Sequence, residues 1–170
     1  MAGSDAEVRT ARSILVIDDD RLLLEHLEMT LKDSGYNVTV VEDGEAALYL
    51  VSSLHPDLII LDSVMPGMDG PEVLKHLKGD KALAAIPVMM LTAKTGRESV
   101  EEAVKLGAED YLAKPVDPAK LLGRVEKLME KLARKKGEAR MEWKAPSSDF
   151  DLPLRGGPAR VHLNPTPTKK

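Results

Sequence analysis

The chain has 170 residues, a formal charge of −4 and no cysteine. This length suffices for one globular domain with a sizeable core, and the lack of cysteine excludes disulfides, zinc fingers and iron–sulfur clusters. The acidic balance argues against a protein that binds nucleic acid mainly through charge. No apolar run approaches the ~20 residues of a transmembrane helix, and the polar N-terminus lacks the apolar segment of a signal peptide. These features predict a cytoplasmic protein without a membrane span.

From residue 13 onward, short apolar runs alternate with amphipathic segments. The predicted strands are residues 13–18, 37–42, 57–62, 87–92 and 110–114. The predicted helices are residues 20–34, 43–54, 69–78, 96–106 and 117–136. Asp20 and Asp43 stand where helix N-caps are expected. Strands that are apolar throughout are typical of parallel sheets covered on both faces, so the pattern predicts a doubly wound α/β fold.

The composition divides the chain into three parts. Residues 1–12 are polar and predict a flexible leader, whereas residues 13–136 carry the alternating pattern of a folded domain. Residues 137–170 are rich in proline and glycine and predict a mostly disordered tail. This tail contains Trp143 and Phe150, which are candidate anchors for a protein partner.

Chemically active side chains follow four of the predicted strands. Asp18 and Asp19 follow the first strand, Asp62 ends the third, Thr92 ends the fourth and Lys114 follows the fifth. Ligand sites in parallel α/β sheets lie at the carboxyl ends of the strands, so we expect these groups to converge. Clustered carboxylates without histidine or cysteine favour Mg²⁺ or Mn²⁺. A metal, an ammonium, a hydroxyl and a nucleophilic carboxylate are the parts that phosphoryl transfer needs.

Four sequence motifs occur in this order at the ends of the strands. They are ILVIDDD at 14–20, LIILDSVMPGMDG at 58–70, MLTAK at 90–94 and GAEDYLAKP at 107–115. Together they resemble the receiver domain of bacterial two-component response regulators. The resemblance implies a flavodoxin-like, five-stranded parallel sheet of order 2-1-3-4-5 with five helices. It also implies a signalling protein whose only catalysis is its own phosphorylation and slow dephosphorylation.

The resemblance assigns roles to the residues at the strand ends. It implies that Asp18, Asp19, Asp62 and the main-chain carbonyl of Val64 hold Mg²⁺ (or Mn²⁺). Asp62 would accept a phosphoryl group from a histidine kinase or a phosphotransfer protein, and Lys114 would pair with that group. The family usually has a cis peptide between the lysine and the proline of this motif.

The resemblance also implies a conformational switch. Thr92 would bind the phosphoryl group and leave space beneath the fourth strand, and the ring of Tyr111 would fill that space. The surface of the fourth helix, fifth strand and fifth helix would then change and bind a downstream protein. Side chains next to the phosphoryl group influence access of water, and the apolar Val64 predicts a phosphoryl lifetime of minutes or longer.

Two other functions compete with the switch. One is a phosphorylation-independent scaffold with the same fold, although such proteins typically lose one of the acids, the lysine or the threonine. The other is a flavodoxin-like carrier, which would need a phosphate-binding loop after the first strand. We also predict a single-domain regulator without direct DNA binding, because residues 138–170 are too few and too rich in proline for a winged helix or a helix-turn-helix module. The interaction of a helix end with the cations Lys131, Arg134, Lys135 and Lys136 explains that basic cluster without nucleic acid.

Overall fold

The computed structural model describes residues 11–93 and 96–142, with the side chains of 138–142 excepted. Its strands are β1 (Ser13–Ile17), β2 (Asn37–Val41), β3 (Leu58–Asp62), β4 (Val88–Thr92) and β5 (Asp110–Ala113). Its helices are α1 (Arg21–Asp33), α2 (Gly44–Leu54), α3 (Gly70–Gly79), α4 (Arg97–Lys105) and α5 (Pro118–Glu142). Most of the predicted leader, and the tail anchors Trp143 and Phe150, lie outside the described residues.

All five strands belong to one parallel sheet of order β2-β1-β3-β4-β5. Both the α/β class and the strand order predicted from the sequence are confirmed. The three central strands, β1, β3 and β4, are almost completely buried, as expected for strands covered on both faces. The edge strands β2 and β5 instead alternate between more and less exposed residues, because an edge position leaves part of each strand in contact with water.

The core is aliphatic and is built on alternate strand residues. One cluster joins Leu15 and Ile17 of β1, together with residues of β3 and β4, to apolar side chains of α2 and α3. Ile14 and Val16 are also buried and point to the opposite face, since successive side chains of a strand alternate. Both faces of the sheet are therefore covered, which leaves its ends as the place for polar chemistry.

Aspartates begin four of the helices. The carboxylates of Asp20, Asp43, Asp69 and Asp117 accept hydrogen bonds from main-chain N–H groups in the first turns of α1, α2, α3 and α5. The two N-caps predicted at Asp20 and Asp43 are confirmed. In contrast, α4 has no side-chain cap and no fully buried residue, so it is the helix least fixed by its own contacts.

The fifth helix is longer than predicted. It was expected to end at Lys136 but continues through Gly137 to Glu142. A glycine inside a helix costs only about 1 kcal/mol relative to alanine, and the residues around it are mostly good helix formers. The chain divides into two compact units, 1–131 and 132–170, and the described part of the second unit is the end of this helix.

Candidate functional site

The sheet topology brings the predicted site residues to one edge. β1 and β3 are neighbours, so Asp18 and Asp62 follow adjacent strands. The register of the next strands pairs Thr92 with Ala113, and the main-chain N–H of Lys114 donates to the carbonyl of Thr92 at 2.8 Å. Residues at the ends of four strands, or directly after them, therefore lie close together although they are far apart in the sequence.

Three carboxylates form the centre of this edge. One oxygen each from Asp18, Asp19 and Asp62 lies within 4.8 Å of the others. Asp18 is fully buried and Asp62 is 3% exposed, whereas Asp19 is exposed to solvent. Such a group of like charges is unfavourable unless a cation joins it.

Lys114 supplies a protein cation at this edge. Its Nζ atom lies 2.8 Å from Oδ2 of Asp18 and 3.1 Å from Oδ1 of Asp62. Burial alone would lower the pKa of Lys114, but the contacts with Asp18 and Asp62 outweigh burial and raise this pKa above its ordinary value. The ammonium therefore stays charged between the two buried acids. The peptide bond between Lys114 and Pro115 is cis, as the sequence motif implied.

Asp62 has an unusual proton affinity. Burial raises the pKa of its carboxyl group from 3.8 to about 6, and the neighbouring charge of Asp18 adds to the rise. The contact with Lys114 and the weaker approach of the Val64 N–H, 3.4 Å from Oδ1, act in the opposite direction. The single ammonium of Lys114 therefore does not fully offset the cost of removing this charged carboxylate from water.

The donor set suits a hard divalent cation. Oδ2 of Asp18 is buried and lies 2.8 Å from Nζ of Lys114. The other oxygen, Oδ1, accepts the N–H of Asp20 at 2.9 Å. Carboxylate oxygens at one exposed edge, with room for water, are the ligands that Mg²⁺ prefers. The predicted acidic group is present, and its side chains fit the predicted metal.

The two predicted switch residues line one cavity beside this edge. The cavity has a volume of about 60 Å³ and lies between the sheet and α4, with Thr92, Tyr111, Met90 and Leu106 among its lining residues. Thr92 is 7% exposed and Tyr111 is 37% exposed. The threonine therefore lies at the inner wall, whereas the tyrosine still contacts solvent.

Two residues of the site were given no role by the sequence analysis. A Cβ atom on Gly70 would lie 2.1 Å from the carbonyl oxygen of Asp62, so only glycine lets α3 begin directly beside the acceptor strand. Ser63 donates its main-chain N–H to the carbonyl of Leu91 at 2.8 Å, but its buried hydroxyl has no hydrogen-bond partner among the residues that the structure describes. In the sequence, the available signal for the close approach of Gly70 to the Asp62 carbonyl was the pair Asp69–Gly70 at the start of α3.

The family model for the response regulator receiver domain matches residues 14–126. The chain belongs to the response regulator receiver family. The match includes every residue of the acidic group, together with Lys114, Thr92 and Tyr111. The resemblance recognised in the four sequence motifs is confirmed.

Relatives of this receiver chain include named transcriptional regulators. The chain is 39% identical over 140 residues to the DNA-binding response regulator MtrA of Mycobacterium leprae, covering 82% of this chain and 60% of the relative. It is 34% identical over 161 residues to the phosphate regulon transcriptional regulatory protein PhoB of Escherichia coli, covering 90% of this chain and 70% of the relative. The match to MtrA of Mycobacterium tuberculosis covers 48% of that protein, so this chain spans about half the length of several relatives.

Solved structures agree with the fold. The chemotaxis protein CheY4 of Vibrio cholerae superposes with a TM-score of 0.67 and 32% identity, covering 69% of this chain and 98% of that structure. The signal receiver domain of a histidine kinase from Syntrophus aciditrophicus gives a TM-score of 0.68 and 32% identity, covering 82% of this chain and 100% of its own.

The relatives do not support every prediction. Several of them are DNA-binding regulators by name, so the prediction that this chain makes no direct contact with DNA gains no support from them and stays a prediction. Within residues 11–93 and 96–142, no helix has both the length and the apolar composition needed to cross a membrane.

Proposed function

We propose that this receiver domain is a phosphorylation-activated switch and that Asp62 is its phosphoacceptor. The observation that carries this proposal is the position of the Asp62 carboxylate between an ammonium 3.1 Å away and two further carboxylates. Phosphoryl transfer depends mainly on positioning and on neutralising the charge of the transferred group. This edge of the sheet provides a nucleophile and the groups that do both.

The proposed reaction forms one bond and breaks one bond. An oxygen of Asp62 attacks the phosphorus of the donor, the bond to the donor oxygen or nitrogen breaks, and an acyl phosphate remains on the protein. Lys114 pairs with the phosphoryl oxygens, and Asp18 and Asp19 would hold Mg²⁺ together with Asp62 and the Val64 carbonyl. When bound, the metal supplies positive charge to the phosphoryl group.

The signal would pass through Thr92 and Tyr111. A phosphoryl group adds about 1.5 to 2 negative charges and several acceptor oxygens, so the Thr92 hydroxyl is drawn toward it and away from the cavity. The ring of Tyr111, which is still 37% exposed, then moves inward. Because α4 buries no residue fully, the surface of α4, β5 and α5 responds at low cost, in the manner of a two-state equilibrium.

The partners follow from this assignment. The phosphoryl donor would be a histidine kinase or a phosphotransfer protein in the cytoplasm, and the output would be a downstream protein that binds the surface of α4, β5 and α5. We assign residues 13–136 to the receiver domain, residues 1–12 to a leader and residues 137–170 to a tail whose Trp143 and Phe150 take part in partner binding.

Intact-mass spectrometry with acetyl phosphate tests the proposal. We expect the wild-type chain to gain about 80 Da, the mass of one phosphoryl group, only when Mg²⁺ is present. The variant Asp62→Asn removes the nucleophile and should gain nothing. Asp33→Asn removes an exposed acid at the end of α1 and serves as the matched control, which should behave as wild type.

The negative result is equally informative. If the wild-type chain forms no adduct, and beryllofluoride with Mg²⁺ induces no structural change in it, the proposed phosphorylation switch is wrong. The phosphorylation-independent scaffold then becomes the favoured function. An adduct that persists in Asp62→Asn would place the phosphoacceptor elsewhere.

A further inference from the structure

Helix α5 carries a line of basic side chains that the phosphorylation site does not use. Lys120, Arg124, Lys127 and Lys131 follow one another at intervals of four, three and four residues, which places them on one face of a helix. All four are exposed. We call these four residues the α5 basic stripe.

The charge order of the stripe is unfavourable for the helix itself. Lys120 with Arg124, and Lys127 with Lys131, are like charges at i,i+4, a spacing at which like charges destabilise a helix. In α1 and α4 the same spacing instead holds opposite charges, in the ion pairs Lys32–Glu28 and Arg97–Glu101. A local arrangement that opposes stability in a folded protein points to a function.

The helix dipole does not explain the stripe. A cation gains from the dipole only within the last turn of a helix. Lys131 was expected to lie near the end of α5, but the helix continues to Glu142, about three turns further on. Lys120 lies in the first turn of α5, where the dipole disfavours a cation, and Arg124 and Lys127 lie in the middle of the helix, beyond its reach.

Most of the stripe also lacks an ionic partner. Arg124 donates to Oδ1 of Asp110 in β5 at 2.6 Å. The side chains of Lys120, Lys127 and Lys131 form no ion pair with any of the residues whose side chains are described, 11–93 and 96–137. The cations of Lys120, Lys127 and Lys131 are therefore available to a ligand. They lie in line with Arg124, which is already paired with Asp110 of β5.

We infer that the α5 basic stripe binds a segment of a partner protein that presents carboxylates at matching helical spacing. Exposed Glu126 and Glu130 lie on the same helix beside the stripe, and they would repel the continuous line of phosphates of a nucleic acid. The chain as a whole is also acidic, which disfavours nucleic acid further. A protein segment can place carboxylates against the stripe and neutral or basic groups against the flanking acids. The inference gives a chemistry to the output surface proposed above, and it requires no phosphorylation.

Fluorescence anisotropy with a labelled peptide tests the inference on the full chain. The probe is a helical peptide with glutamates at positions i, i+4, i+7 and i+11, and its isomer has the same composition with the glutamates spread around the helix. In low salt we expect the wild-type chain to bind the first peptide at least about tenfold more tightly than the isomer. The double variant Lys120→Glu/Lys127→Glu should lose about tenfold in affinity for the first peptide.

The control carries the same change of net charge away from the stripe. Lys75→Glu/Lys81→Glu reverses two exposed lysines of α3 and the following loop and should change the affinity less than about threefold. The stripe variant also replaces both like-charge pairs, 120/124 and 127/131, by opposite-charge pairs in α5, so its thermal unfolding temperature should not fall. A loss of binding without a loss of stability separates a binding role from a folding role.

Three outcomes would overturn the inference. Equal weakening by both double variants would mean that only net charge matters, and equal binding of the two peptides would mean that spacing does not matter. Tighter binding of a DNA duplex, or of vesicles containing phosphatidylserine, than of the peptide would assign the stripe to another class of ligand. None of these measurements depends on phosphorylation, so a failure here is distinct from a failure of the phosphorylation switch.

Discussion

Two lysine–carboxylate clusters at opposite ends of the sheet differ in how completely their charges are satisfied. At the amino end, Nζ of Lys78 donates to the carbonyls of Ala84 and Ile86 at 3.1 and 2.9 Å and to Oε1 of Glu109 at 2.9 Å. The second oxygen of Glu109 accepts the N–H of Val88 at 2.6 Å. Every hydrogen of the ammonium, and both carboxylate oxygens, therefore have partners.

The carboxyl end has a similar lysine but an excess of acid. The side chain of Lys114 is 22% exposed and that of Lys78 is 16% exposed, so burial does not separate the two clusters. Lys114 contacts two buried carboxylates, and a third lies within 4.8 Å of them. Here one ammonium serves three carboxylates, and the pKa of Asp62 rises to about 6.

The comparison separates a structural cluster from a functional one. The amino end is complete without a ligand and ties the start of β4 and the start of β5 to α3. The carboxyl end is incomplete by at least one positive charge, which a ligand can supply. Natural proteins accept such local imbalance mainly where they bind or react.

The largest expected effect is at the complete cluster. Lys78→Met should lower the free energy of unfolding by about 3 kcal/mol, because the carbonyls of Ala84 and Ile86 and the carboxylate of Glu109 lose their shared donor. Urea unfolding measures the change. Lys81→Met, an exposed lysine nearby, should stay within about 0.5 kcal/mol of wild type. A loss below about 1 kcal/mol for Lys78→Met would mean that water replaces the ammonium and that the cluster is not structural.

At the incomplete cluster, removal of a charge should stabilise the protein. Because the pKa of Asp62 is higher in the folded chain, at about 6, than in the unfolded chain, the folded state holds the proton more tightly. The wild type therefore loses stability as pH rises from about 4 to about 6. Without metal, Asp62→Asn should avoid this loss and be more stable at pH 7 by up to about 3 kcal/mol.

The pH dependence distinguishes this gain from a general effect of the substitution. Urea unfolding in EDTA should show that the gain of Asp62→Asn vanishes near pH 4, where the wild-type carboxyl group is also neutral. Asp33→Asn should show neither the gain nor its pH dependence. A gain that is the same at both pH values would mean that the charge of Asp62 is not the cause.

Added Mg²⁺ should narrow the difference in stability between the wild type and Asp62→Asn. A ligand at ten times its dissociation constant stabilises the folded state by about 1.4 kcal/mol, and the wild type should gain this amount at pH 7. Asp18→Asn and Asp62→Asn should gain much less. Thermal unfolding with and without Mg²⁺ measures the difference, with Ca²⁺ as a second ion. An equal gain in all three proteins would indicate non-specific screening.

The smallest expected effect concerns the lifetime of the phosphoryl group. Val64 is apolar and 55% exposed beside Asp62, so it cannot orient the water that hydrolyses the acyl phosphate. We expect the wild-type adduct to last for minutes or longer, and Val64→Gln to shorten its lifetime several-fold. Intact mass followed over time measures both, and Met29→Gln, an exposed apolar residue of α1, is the control. A wild-type half-life of seconds would contradict this prediction.

The sequence predicted the elements well because their signals are local. The period of apolar residues and the aspartate caps depend on residues a few positions apart, and all five strands and five helices were found. The predicted end of α5 was wrong, because the cost of placing Gly137 inside a helix is small compared with the helix propensity of its neighbours. The cluster of Lys78 and Glu109 was missed, since no local pattern relates residues 31 positions apart.

By itself, then, the sequence determined the order of strands and helices, the residue types at the strand ends and, through four motifs, the receiver family. It could do so because each signal lies within a short stretch of chain. Only the tertiary structure decided that a single ammonium faces two buried acids, that Gly70 meets the Asp62 carbonyl, and that Thr92 and Tyr111 share a cavity. These facts depend on burial and on distances between strands, and a charge acquires its altered pKa only when folding removes its water.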